Sequence, residues 1–172
     1  MLKKKTDEVY IQTADPVSFD SSAITFLKEK ALSNERRRAR ICAHNSNSDA
    51  LHEMLIAIGR DSYIRPHRHH NKTESFHLIE GSADIVLFSE NGSIEDVIKL
   101  APNANFYYRL DAPRYHTLII ASPLLVIHEI TSGPFDSNLT DYAAFSPPEG
   151  SIEGVDFMAK LRQSVNQFYL EH

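Results

Sequence analysis

The stretch Gly59-Arg60-Asp61-Ser62-Tyr63-Ile64-Arg65-Pro66-His67-Arg68-His69-His70-Asn71-Lys72-Thr73-Glu74-Ser75-Phe76-His77-Leu78-Ile79-Glu80-Gly81 carries four of the chain's nine histidines between His67 and His77. Residues two apart on a strand share a face, so His67 and His69 point the same way and can bind one metal ion. Asn71-Lys72 can turn the chain, after which Glu74 opens the next strand with a third donor. A fourth donor must come from elsewhere. His116 is well placed, because it follows the turn Asp111-Ala112-Pro113 and starts the apolar run Thr117 to Ile120.

Outward from this stretch, residues 36–130 are short runs rich in Ile, Val, Leu, Tyr and Phe. Strands are expected at 37–43, 51–58, 62–69, 74–80, 83–89, 94–99, 105–109, 115–121 and 124–131. Glu90-Asn91-Gly92-Ser93 marks a tight hairpin, since Asn-Gly accepts the positive φ such turns require. Many short strands at even spacing predict an all-β core, an antiparallel barrel or jelly roll, and no alternation with helices supports a parallel sheet.

Before that core, apolar Ile24, Leu27, Ala31 and Leu32 lie on one helical face behind Asp20-Ser21, which can cap a helix over 21–33. Val9-Tyr10-Ile11 reads as an isolated strand. Beyond Gly133-Pro134 the chain turns polar, and Val155, Met158, Leu161, Val165 and Phe168 recur at spacings of a closing amphipathic helix, about 154–169. That helix is expected to pack on the outside of the barrel or on a partner subunit. The organisation is one domain: an extension and short helix over 1–35, the barrel over 36–132, and a loop and helix over 133–172.

The chain has 172 residues, with 18 basic against 23 acidic side chains and a formal charge of −5. That balance gives no electrostatic footprint for nucleic acid or an anionic membrane. The single Cys42 cannot form an internal disulfide and reads as a small core residue. The Lys3-Lys4-Lys5 start has no apolar stretch behind it, and the longest apolar run is broken at Ser122-Pro123. Neither a secretory signal nor a membrane helix is expected, which leaves a cytoplasmic protein.

His67-x-His69-x4-Glu74-x6-Gly81 resembles the first motif of the cupin superfamily, and Asp111 to His116 resembles the second. More closely, the chain is similar to the WbuC-type cupin-fold metalloproteins associated with bacterial surface-polysaccharide gene clusters. The segments that carry this likeness are Arg36-Arg37-Arg38-Ala39-Arg40, Tyr63 to His69, His116-Thr117-Leu118, Gly133-Pro134-Phe135-Asp136 and Ala144 to Gly150. The resemblance spans roughly residues 21–151. It implies a double-stranded β-helix that holds one divalent transition metal (Fe, Mn, Ni or Zn) through His67, His69, Glu74 and His116. The second motif departs from the family pattern at Asp111, Pro113 and Ile120, which alters the loop and removes no ligand. With the closing helix, the resemblance also implies a homodimer.

Other residues extend the candidate site. If 62–69 is one strand, Tyr63 and Arg65 share the face of His67 and His69. Arg65 then either holds a substrate anion or pairs with a protein carboxylate, because an inward arginine needs a partner. Tyr63 is a candidate proton donor or an ordinary sheet residue. Arg36, Arg38 and Arg40 form a stripe suited to a phosphate or sugar nucleotide, or simply a solvated face or subunit contact. His70 and His77 have the opposite parity or sit in the turn and read as non-ligands, His128 is undecided, and His44, His52 and His172 lack a constellation.

These features support a metal-dependent enzyme acting on a small polar, sugar-like metabolite, linked by resemblance to polysaccharide biosynthesis. A non-catalytic ligand-binding or regulatory cupin is the second reading. A metal-free sugar-nucleotide epimerase is the third, and Glu74 beside two histidines argues against it. Neither nucleic acid nor membrane is an expected partner.

Overall fold

The computed structural model describes residues 1–172, folded as helix, sheet, sheet and helix in successive layers. In chain order the elements are β1 (Leu2–Lys4), β2 (Val9–Gln12), α1 (Ser21–Ser33), β3 (Arg38–Cys42), β4 (Leu51–Gly59), β5 (His67–His69), β6 (Glu74–Glu80), β7 (Ala83–Phe88), β8 (Ile94–Leu100), β9 (Tyr107–Leu110), β10 (Tyr115–Ile120), β11 (Leu124–Ser132), β12 (Thr140–Tyr142) and α2 (Ile152–Glu171). One sheet has the order β1-β2-β3-β4-β11-β6-β9 and the other β12-β5-β10-β7-β8.

Strand alternation sorts the apolar residues into three cores. Facing inward between the sheets are Ile58, Phe76, Ile85, Leu87, Leu118, Ile120, Leu125 and Ile127. On the outer face of the first sheet, Ala39, Ile41, Leu55, Ala57 and Val126 pack against Leu27 and Ala31 of α1. On the outer face of the second, Val86, Phe88, Val97 and Ile119 pack against Met158, Leu161 and Val165 of α2. The helices thus cover the central strands of each sheet on the outer face, which explains the nearly continuous hydrophobic runs there.

Asp20 caps α1 by accepting from the backbone N–H groups of Ser22 and Ala23, at 2.9 and 3.3 Å, and the helix spans the predicted residues. In α2 the buried positions are Gly154, Met158, Leu161 and Val165, while the expected Val155 is 70% exposed. Gly154 takes the inner place because the Tyr63 ring lies against it: a Cβ there would stand 3.0 Å from two ring carbons.

Three expectations change. The strand predicted over 62–69 keeps only His67–His69. Pro66 offers no N–H, and residues 63–66 instead form an irregular connection, with Thr117 Oγ1 donating to the Ile64 carbonyl and Ala143 N–H donating to that of Pro66 at 2.9 Å. Val9–Gln12 is not isolated, since β2 pairs antiparallel with β1 and parallel with β3. The sheet therefore has a parallel step where none was expected. In addition, the polar segment after Gly133-Pro134 contributes β12, an edge strand paired with β5.

Candidate metal centre

Register explains how the donors meet. His116 pairs with His67 across β10 and β5, and it shares parity with inward-facing Leu118 and Ile120. Glu74 shares parity with inward-facing Phe76 on β6. One ring nitrogen from each of His67, His69 and His116 lies within 4.8 Å of the others, so the three can hold one ion. Glu74 closes the group, with Oε1 2.7 Å from His116 Nε2 and Oε2 3.6 Å from His69 Nε2.

The other ring nitrogens are already engaged. His67 Nδ1 lies 2.9 Å from the Arg65 carbonyl and His116 Nδ1 2.9 Å from that of Arg114. A carbonyl only accepts, so each Nδ1 carries a proton. His69 Nδ1 lies 3.0 Å from Thr140 Oγ1 on β12. All three Nε2 atoms are left facing the common centre, the arrangement by which ligand histidines are oriented through their far nitrogen. Glu74 Oε1 is buried without a hydrogen bond of good geometry, although His116 Nε2 stands so near.

The electrostatics agree. Burial, then the neighbouring His116, pushes His67 down to about 3, and burial also pushes His69 down to about 4 despite Glu74. Both are neutral lone-pair donors near neutral pH. For Glu74 burial pulls upward, but His116, His69 and His67 outweigh it and hold the carboxyl at about 2. His116 is raised on balance: burial lowers it, and the charge and contact of Glu74 more than compensate. A bound cation would compete with the proton shared by this pair.

The remaining candidates lie apart from this convergence. Tyr63 donates to the Pro147 carbonyl at 2.9 Å and packs against Phe157 of α2. The broken strand removes the parity expected of Arg65. Its guanidinium donates to Ser146 Oγ and the Ala143 carbonyl, both at 3.2 Å, and lies over the Tyr142 ring. Arg36 and Arg38 both donate to Glu149 Oε2, at 2.7 and 2.6 Å, clamping the segment before α2 onto β3. Arg40 lines a neighbouring cavity. His70 meets Asp141 at 2.6 Å, and His77 and His128 are register partners on the sheet face away from the centre.

Two polar residues of the barrel escaped sequence reading. Thr140, beside His69, lies in a polar segment that reads as loop. Tyr108 is 5% exposed among the inward apolar residues, its hydroxyl has no partner, and burial and then Glu74 push it above the usual phenol range. Its alternation with Leu110 was a usable signal for the inward face, though not for the unpartnered hydroxyl.

Residues 19–100 match a family model described as a domain of unknown function, DUF6016. No curated protein matches the sequence. Among solved structures, a Shewanella oneidensis protein is similar at 11% identity and TM-score 0.52, over 62% of this chain and 73% of its own. The ligand-free L-ribose isomerase of Cellulomonas parahominis gives 12% identity and TM-score 0.49, over 66% of this chain and 72% of its own. An oxalate oxidase in complex with glycolate gives 9% and 0.48, over 64% and 57%. The fold is a jelly roll of two facing, mostly antiparallel sheets. At these identities the likeness concerns architecture alone. No helix is long and apolar enough to cross a membrane.

Proposed function

We propose that this protein is a metal-dependent cupin enzyme acting on a small polar, sugar-like metabolite, with one divalent transition ion (Fe, Mn, Ni or Zn) held by His67, His69, Glu74 and His116. The observation that carries the reading is the cluster of three imidazoles with ligand atoms within 4.8 Å of one another, their Nδ1 atoms engaged elsewhere and the Glu74 carboxylate against His116. Three imidazoles and a carboxylate suit such ions, and four ligands on a six-coordinate ion leave two positions for a chelating substrate. The ion would supply Lewis acidity or an activated water. The chain's own contribution is to fix the tautomers of His67 and His116 through backbone carbonyls and to set the site beside inward-facing Phe76 and Leu118, the strand neighbours of Glu74 and His116.

The resemblance to WbuC-type proteins supports a role in surface-polysaccharide biosynthesis in the cytoplasm. Exposed Ile152, Val155 and Leu170 on α2, at 80, 70 and 82%, support a homodimer, to be checked by light scattering. Elemental mass spectrometry of protein purified without added metal tests the central reading. Near-stoichiometric Fe, Mn, Ni or Zn, lost in Glu74→Gln and His116→Ala, is the expected result. A site that stays empty on reconstitution would overturn it. Metal without turnover of any sugar-like substrate would favour a binding or regulatory role instead.

A further inference from the structure

Beside the histidine centre a cavity of about 240 Å³ opens between the β1–β2 hairpin and the loop at 44–47. Its floor continues the inward face of the first sheet. His52 pairs with Thr131, and Thr131 with Glu74. His52 is therefore two strands from Glu74, about 10 Å at the usual strand spacing, whereas Thr131 and Glu129 of the same cavity lie on the adjacent strand, so the cavity and the centre share a wall.

The charges around this cavity are unlike those of the centre. Lys5, Arg40 and Lys72 line it, and none of the three forms an ion pair. Only one carboxylate, Glu129, faces them. Elsewhere in the chain arginines find acidic partners readily, as Arg36, Arg38, Arg68 and Arg114 do. His52 forms a rigid part of the wall. It is 4% exposed, lines the same cavity, and its buried Nε2 has no hydrogen-bond partner. The His44 ring stacks on it at 4.1 Å with 7° between the planes, which fixes its orientation. Phe135, 49% exposed with Lys72 over its ring, stands at the rim.

We propose that this cavity is an anion subsite adjoining the histidine centre, for a small organic oxyanion that also carries hydroxyl groups, a proposal that deepens the proposed function and rests on it. The oxyanion answers the surplus of cations, as carboxylate and phosphate groups do at arginine and lysine clusters. Hydroxyl groups answer Asn45, Ser46 and Asn47. The volume falls below the ~300–1,000 Å³ of drug-sized pockets, which selects a small metabolite. This assignment holds whichever metal the centre takes.

Titration of the purified full-length protein with inorganic phosphate, and separately with acetate, at ionic strength held constant with chloride, tests it by amide NMR shifts. Saturable shifts at residues 5–6, 40–47 and 72 are expected. Arg40→Gln and Lys72→Gln should each raise the dissociation constant about tenfold, because each removes a charge-assisted contact. His128→Ala, on the outer sheet face, should leave it unchanged. Saturation by phosphate alone identifies a phosphate-bearing ligand, and saturation by acetate a carboxylate. Binding that disappears in His116→Ala but survives Arg40→Gln would place the anion on the metal and overturn the proposal. So would the absence of saturation by either anion.

Discussion

Two groups of the chain's histidines differ in the face of the barrel they occupy. His67, His69 and His116 face the barrel interior, each with Nδ1 tied to a carbonyl or hydroxyl. His70 turns to Asp141, while His77 and His128 lie on the opposite sheet face. The inward three are held neutral or paired by burial and by Glu74, which prepares them as ligands; the outward ones do ordinary surface work. One residue of register separates the two outcomes, because strand side chains alternate strictly.

The sharpest way to break this contrast is to exchange members of each group. His116→Ala should abolish metal uptake, whereas His128→Ala should leave it stoichiometric, both read by elemental mass spectrometry. Equal loss in both variants would mean that the inward group is not the centre. Leu27→Ala removes a fully buried side chain between α1 and the sheet, and a loss of about 2–5 kcal/mol is expected in urea unfolding, with metal content of the folded protein unchanged. That result would separate fold stability from the site. Thr140→Val removes the Nδ1 partner of His69, so metal affinity measured by chelator competition should fall about 10–100-fold. His77→Ala, on the exposed face, should change stability by less than about 0.5 kcal/mol and metal content not at all. A large effect there would show that the outward group has a role its geometry does not reveal.

Much of the fold was legible because its signals are local. The cap at Asp20 needs only the next few N–H groups, and helix 21–33 follows from it. Strands 74–80 and 83–88 were legible from their runs and turns. The strand over 62–69 failed where Pro66 withdrew a donor and where partners came from residues more than fifty positions away, such as Thr117 and Ala143. Arg38 likewise read as a free stripe until Glu149, 111 residues later, met it.

The sequence by itself determined which side chains can share a face: alternation put His67 with His69, and apolar periodicity placed helices on both flanks. Only the tertiary structure decided what stands opposite each face. It brought β12 beside β5 so that Thr140 meets His69, turned Tyr63 and Arg65 toward the segment before α2, and gathered Lys5, Arg40 and Lys72 around one cavity. The physical reason is range. Periodicity and capping act over a few residues, whereas the partner of a buried charge or an imidazole is whichever group the folded chain carries to it, from any distance along the sequence.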